Sequence, residues 1–374
     1  MIHDFQPNWV YHPSQTILKF LEGSNVDPSC LSGSFLKKLN NQQIDIDSDT
    51  ATYLARLIGG SEDFWLNIQN NYEKSIRRFQ ESNIDSNFED YYTLVQEMKK
   101  RSWLPSSDYK YLDQLNLKSF FGISDLSPLN EESIYKNFLG SRYKRIGSYE
   151  FSTLNIAAFM RMAELEFKKQ HILNDFNKSL FIEKLQEIKT LSRKRGLRNF
   201  KKDLLEICIE CGVAVVFLST LDKCPIRGVS KFIEGKGMIV ITNKYNQDHL
   251  FWQTFFHEAA HLILHQDEMT HYDFGEPKDN EQHDECEKEA DEFMVSQLIY
   301  PFTLKEIEQK VDFKLVRRDK RSSFANLCRV ANEVDLSPSL LIGVLKSSQK
   351  IDYRYFNDRH RPIFDNSSIP EVLS

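Results

Sequence analysis

One segment constrains the fold more than any other: FFHEAAHLILH, residues 255–265. Phe255, Phe256, Leu262, Ile263 and Leu264 flank its polar residues, so a helix here must be buried. Two histidines and a glutamate on a buried helix are costly unless something satisfies them. His257 and His261 stand at i and i+4, one turn apart on one helix face. Two imidazoles so placed can both reach one Zn²⁺ at about 2.0–2.1 Å. Glu258 lies beside the first of them, where it can take a proton from an attacking water. A bare HExxH can arise by chance in a chain with 10 histidines, and the apolar flanks are what weigh against chance.

A catalytic zinc site needs a third protein ligand and an open position. The segment CEKEADEFM, residues 286–294, offers one. Glu287 and Asp291 are again one helical turn apart. Glu287 is expected as the third ligand, and Asp291 as the hydrogen-bond partner of a liganding histidine's far nitrogen, which fixes its tautomer. Ala290 between them permits close helix packing, with Phe293 and Met294 facing the core. Glu289 and Glu285 are rivals for the ligand role, and a solvated acidic helix is the plainer reading. His265, His271 and His283 are further options. Eight residues past His257, His265 is turned about 80° round a continuing helix, so it is expected to line the cleft or pack. His271 and His283 fall in a polar stretch, 269–285, that reads as a mobile loop.

Length and composition frame these readings. The 374 residues suggest two to three domains. The chain is 41% hydrophobic and 27% charged, with a formal net charge of −6. That balance excludes a surface coated in basic residues, so any DNA contact must come from a local patch. Six scattered cysteines (Cys30, Cys208, Cys211, Cys224, Cys286 and Cys328) form no disulfide framework. The Cys208/Cys211 CxxC sits at a helix end and reads as buried thiols. The first residues show no signal pattern, and no run approaches the roughly 18 apolar residues of a membrane span. A cytoplasmic location and no membrane partner are expected.

Along the chain, residues 1–80 read as short helices with tight turns. Helical spacing runs from Ser14 to Leu21 and from Ser34 to Leu39. Asp27-Pro28-Ser29 is a helix start. Asp47-Ser48-Asp49 caps a helix from Thr50 to Leu57 that Gly59-Gly60 ends, and Ser61 caps another through Trp65 and Tyr72. Five such helices suggest a helix-turn-helix unit. Residues 81–175 read as a helical linker or middle region, with 82–88 as a first linker. From 176 to 374 the pattern is α+β. Val213–Leu218 reads as a buried strand, and Arg227–Phe232 and Gly237–Thr242 as a hairpin around Gly235 and Gly237. A long helix starts near Gln247, and helices return over 304–347. Met238–Thr242, just before the HExxH helix, is expected to be an edge that pairs with an extended peptide. The whole is α+β and predominantly helical.

FFHEAAHLILH followed by ECEKEADEFMVSQLIYP resembles the metallopeptidase domain of the ImmA/IrrE family, whose fold is zincin-like. The N-terminal stretch is similar to antitoxin-type helix-turn-helix regulators of the HigA kind (the XRE type). The resemblance rests on His12-Pro13, Asp49-Thr50-Ala51 and Phe64-Trp65-Leu66-Asn67. It implies zinc held by His257, His261 and Glu287, with manganese or another divalent metal able to substitute in vitro, and a catalytic Glu258. It also implies DNA-binding regulation, at the chain's own promoter, coupled to cleavage of a partner regulator or toxin. Between Val26 and Ile44 the chain is several residues shorter than the usual helix-turn-helix. The recognition helix then falls at about Ser34–Asn41, offering Lys37, Lys38, Asn40, Asn41 and Gln42. Lysines suit phosphates, and Asn or Gln suits adenine edges. Residues 1–80 nonetheless hold seven Lys/Arg against nine Asp/Glu, so a solvated helix face is the competing reading. The basic run Arg193–Lys202 reads as a charged loop. Regulators of this type pair to read two half-sites, so a homodimer is expected. Two other readings stand beside this one: a DNA-binding antitoxin with an idle metal site, and an interaction scaffold that has lost DNA binding.

Overall fold

The computed structural model describes residues 11–24, 31–40, 42–80, 84–134, 152–266, 270–273, 285–313 and 320–364. The chain is mainly helical with one small sheet. It divides into two compact units, Met1–Asn130 and Glu131–Ser374. The division falls inside the stretch read above as a middle region. Among the described residues, no helix is long and apolar enough to cross a membrane.

The first unit holds α1 (Pro13–Gly23), α2 (Gly33–Asn40), α3 (Ser48–Ile58), α4 (Glu62–Gln80), α5 (Tyr92–Lys100) and α6 (Lys110–Phe121). Local signals set the boundaries. The His12 ring accepts the Ser14 N–H at 3.1 Å ahead of α1, with Pro13 in the first position. Asp47 Oδ1 accepts the Thr50 N–H at 2.8 Å and caps α3. Gly59 ends α3 at φ +86°, a conformation that costs glycine nothing. Ser61 Oγ accepts the Phe64 N–H at the start of α4. Ile17, Leu39, Ile44, Ile46, Leu54 and Trp65 share a small core, and the Trp65 indole donates to the Gly59 carbonyl at 2.9 Å. Four helices are described over residues 11–80. The helix start expected at Asp27-Pro28-Ser29 lies outside the described residues.

The second unit opens with α7 (Glu131–Ile134) and α8 (Thr153–Lys169), followed by α9 (Lys178–Thr190) and α10 (Lys201–Glu210). Then come β1 (Val213–Leu218), β2 (Gly228–Ile233) and β3 (Lys236–Thr242). β3 pairs in parallel with β1 and antiparallel with β2, and β4 (Thr270–Asp273) adds to β2, giving the order β1-β3-β2-β4. Glu234 and Gly235, both at positive φ, turn the β2–β3 hairpin. β3 is therefore an interior strand, and the expectation that Met238–Thr242 forms an edge is corrected. Both its backbone sides are spent on ladder hydrogen bonds, one with β1 and one with β2. β4 also corrects the reading of 270–273 as loop.

α11 (Asp248–Leu264) is buried along almost its whole length; only Leu250 and Leu264 are not. Its Phe251, Trp252, Phe255, Phe256 and Leu262 join Val213, Val215, Phe217, Ile239 and Ile241 in one core. Alternate residues of β1 and β3 thus face α11. α8 lies along β1, and its Gln170-proximal end reaches the sheet, where the Gln170 amide donates to the Val215 carbonyl. α12 (Glu285–Ile299) packs against α11, with Ala290 fully buried. α13 (Leu304–Lys310), α14 (Lys320–Glu333) and α15 (Pro338–Ser347) follow, and α15 also packs on α11. Each buried Phe or Leu here contributes roughly 1.5–3 kcal/mol. That apolar sum fixes α11 firmly enough to hold polar groups inside.

Candidate metal centre

His257 and His261 are 5% and 1% exposed on α11. Their Nε2 atoms lie 3.1 Å apart. Glu287, from the first turn of α12, brings Oε2 to 3.2 Å from His257 Nε2 and Oε1 to 3.4 Å from His261 Nε2. Corners of a tetrahedron with metal–ligand bonds of about 2.0–2.1 Å are separated by about 3.3 Å. The three side chains are thus spaced as three corners of a metal shell.

Proton bookkeeping gives an independent test of fit. Asp291 Oδ1 lies 2.9 Å from His257 Nδ1. An ionised carboxylate can only accept, so His257 carries its proton on Nδ1 and a bare lone pair on Nε2. His261 Nδ1 meets His265 Nδ1 at 3.1 Å, and His265 Nε2 meets Glu289 Oε2 at 3.0 Å. Glu289 accepts from His265 Nε2, and the Nδ1 atoms of His265 and His261 share one hydrogen bond. His261 thus turns Nδ1 to His265 and Nε2 to Glu287. Two imidazole Nε2 atoms and a carboxylate thus converge, and a group of this kind could hold a metal ion. Burial lowers the His261 pKa, keeping its ring neutral. Neutral imidazole and ionised carboxylate are the states a metal requires.

Glu258 has no exposed surface and lies against β2. A Cβ placed on Gly228 would stand 2.6 Å from Glu258 Oε1 and 2.5 Å from the Thr254 methyl. Only glycine at 228 lets the acid occupy this position. Sequence reading missed Gly228, because nothing local ties a strand glycine to a helix that begins twenty residues later. It also missed the roles of His265 and Glu289. Glu289, weighed as a rival ligand, lies outside the converging group and instead meets His265. Glu285 is exposed at the start of α12. His271 belongs to β4, opposite Ser230, and His283 lies outside the described residues.

A second group of metal-ligand types, Asp248, His249 and His360, also comes within 4.8 Å. Its protons are arranged differently. Ser339 Oγ donates to Asp248 Oδ1 at 2.5 Å and lies 3.0 Å from His360 Nδ1, from which it accepts. The buried Lys346 ammonium donates to His360 Nε2 at 2.9 Å. Both His360 nitrogens are therefore occupied, one of them by Lys346, so this group suits a cation less well than the first. A cavity of 690 Å³ lined by Met294, Ile299, Tyr300, Phe302 and Lys350 shares only Asp291 with the metal centre.

In the first unit, Lys37, Lys38 and Asn40 are exposed on α2. Gln42 follows the helix at φ +53°, half-buried, and Asn41 lies outside the described residues. In the basic run, Arg193 pairs with Asp335 and Lys194 with Asp203, as a charged loop does. Cys208 and Cys211 are fully buried free thiols. The sequence matches no protein-family model, and no curated protein matches it.

Proposed function

We propose that this chain is a transcriptional regulator carrying a zinc-dependent endopeptidase of the ImmA/IrrE kind, its metal held by His257, His261 and Glu287. The single observation that carries this reading is the convergence of the His257 and His261 Nε2 atoms and the Glu287 carboxylate, with Glu258 next to His257 in the sequence. A bound zinc supplies Lewis acidity, which makes water nucleophilic near neutral pH and polarises a peptide carbonyl. The protein's own groups do the rest. Asp291 holds the His257 ring in place. Glu258 takes the proton of the attacking water on a carboxylate oxygen and returns it to the departing amine. Manganese fits the same nitrogen and oxygen donors less selectively.

The regulator half rests on the likeness of the first unit to HigA-type proteins and on the exposed polar face of α2. Lys37 and Lys38 would neutralise phosphates of an operator, at the chain's own promoter, while Asn40, Asn41 and Gln42 would meet base edges. A homodimer would place two such helices on paired half-sites. A cytoplasmic site of action follows from such a role.

The test is cleavage. The purified full chain with zinc is offered the proteins encoded beside it, including a cognate toxin or regulator. Glu258→Gln is expected to lower cleavage by roughly 10²–10⁴-fold, the usual worth of a general base. Full activity in that variant would remove the mechanism. The regulator half is tested by mobility shift on the chain's upstream DNA. Lys37→Ala and Lys38→Ala should each lower the salt slope by about one. One observation favours the second reading, an idle metal module used as sensor or interaction surface: Glu258 is wholly shut from solvent. Zinc binding without any cleavage would select it.

A further inference from the structure

We infer that His265 and Glu289 form a positioning relay for His261, so that the two metal-binding imidazoles are held by different devices. The inference rests on the metal-centre reading and extends it beyond the ligands. His257 is held directly, by the Asp291 carboxylate at 2.9 Å. His261 uses its far nitrogen on another ring. It meets the His265 ring at 3.1 Å, and that ring meets Glu289 at 3.0 Å.

The geometry follows from where α11 stops. Leu264 is its last residue, and His265 leaves the helical conformation at φ −121°, ψ +46° while its N–H still bonds to the His261 carbonyl. That unwinding brings the ring back over His261, with only 9% of the residue exposed. Glu289 comes from α12, one turn before Phe293 and two residues past Glu287. α12 therefore supplies a ligand at 287, a relay end at 289 and a direct holder at 291. Glu289 accepts from His265 Nε2, and the His265 and His261 Nδ1 atoms share the inner hydrogen bond. With His261 Nδ1 engaged by His265, its Nε2 is the nitrogen that faces Glu287 and His257. Removing either outer member lets His261 take the wrong tautomer or turn its ring, with loss of metal affinity.

The experiment measures Zn²⁺ affinity of the full chain by chelator competition, and the visible spectrum of the Co²⁺-substituted protein. His265→Phe and Glu289→Ala are expected to weaken Zn²⁺ binding by about 10–100-fold, the usual effect of losing an outer partner, and to change the Co²⁺ bands. Glu289→Gln keeps an acceptor oxygen and should recover most of that loss. The Glu289 side chain is 55% exposed, so its replacement leaves the core intact and keeps the test sound if His265→Phe misfolds. Wild-type affinity and an unchanged Co²⁺ spectrum in Glu289→Ala would overturn the relay. Undiminished Zn²⁺ binding in His257→Ala would instead remove the metal centre itself, a separate failure.

Discussion

Helix α11 carries two clusters, each of two histidines and a carboxylate and each largely buried. One joins His257 and His261 to Glu287; the other joins His249 to His360 and Asp248. In the first, carboxylates stand behind the rings, at Asp291 directly and at Glu289 through His265, and both Nε2 atoms turn toward Glu287. In the second, a serine hydroxyl and the Lys346 ammonium use both nitrogens of His360. Distances are alike, yet the partners differ: the first group turns two Nε2 atoms and a carboxylate toward one another, as a metal ion would need, and the second ties α11 to α15 and residues 357–364. Capacity for a cation is thus set by the partners of the outer nitrogens as much as by the ligands.

That contrast can be broken at several points. The largest effect is expected from His261→Ala, which should lower zinc affinity by more than the roughly 100-fold upper range of an outer-partner loss, while His360→Phe leaves zinc affinity unchanged; calorimetric titration of both variants decides. Next, Asp291→Ala should weaken zinc by about 10–100-fold, read by chelator competition. Smaller again is Gly228→Ala. The added methyl displaces the Glu258 carboxylate, so peptide cleavage should fall while zinc affinity holds, which separates the acid's placement from the metal's.

The smallest effect concerns acid. His249 is lowered to about 2 and His360 to about 4, burial being the main cause in both, with neighbouring positive charge adding to it. The unfolded chain protonates these groups first as pH falls through their ordinary value of 6.5. Their contribution to stability is therefore fully present above pH 6.5 and is lost as pH falls toward 4. Denaturant unfolding at pH 7 and pH 5 should show a weaker pH dependence in His360→Phe, by about one proton.

Much of this was legible in the sequence because it is local. The i, i+4 spacing of His257 and His261, and of Glu287 and Asp291, places each pair on one helix face whatever surrounds the helix. Caps at Asp47 and Ser61 and the strands at 213–218 and 237–242 are equally local signals. The role of His265 was not legible: a helical angle applies only while the helix continues, and α11 ends at Leu264. Strand order is non-local as well. β3 lies inside the sheet because β1 reaches over to pair with it in parallel, which chain order does not disclose. Gly228 and His360 meet α11 only through tertiary packing.

The most direct test of the central claim is zinc X-ray absorption on the zinc-loaded full chain. The account predicts four nitrogen or oxygen neighbours at about 2.0–2.1 Å, with the outer-shell signature of two imidazoles that is lost in His257→Ala. A sulfur neighbour at about 2.3 Å, placing the metal on Cys208 and Cys211, or a shell without imidazole, would contradict it.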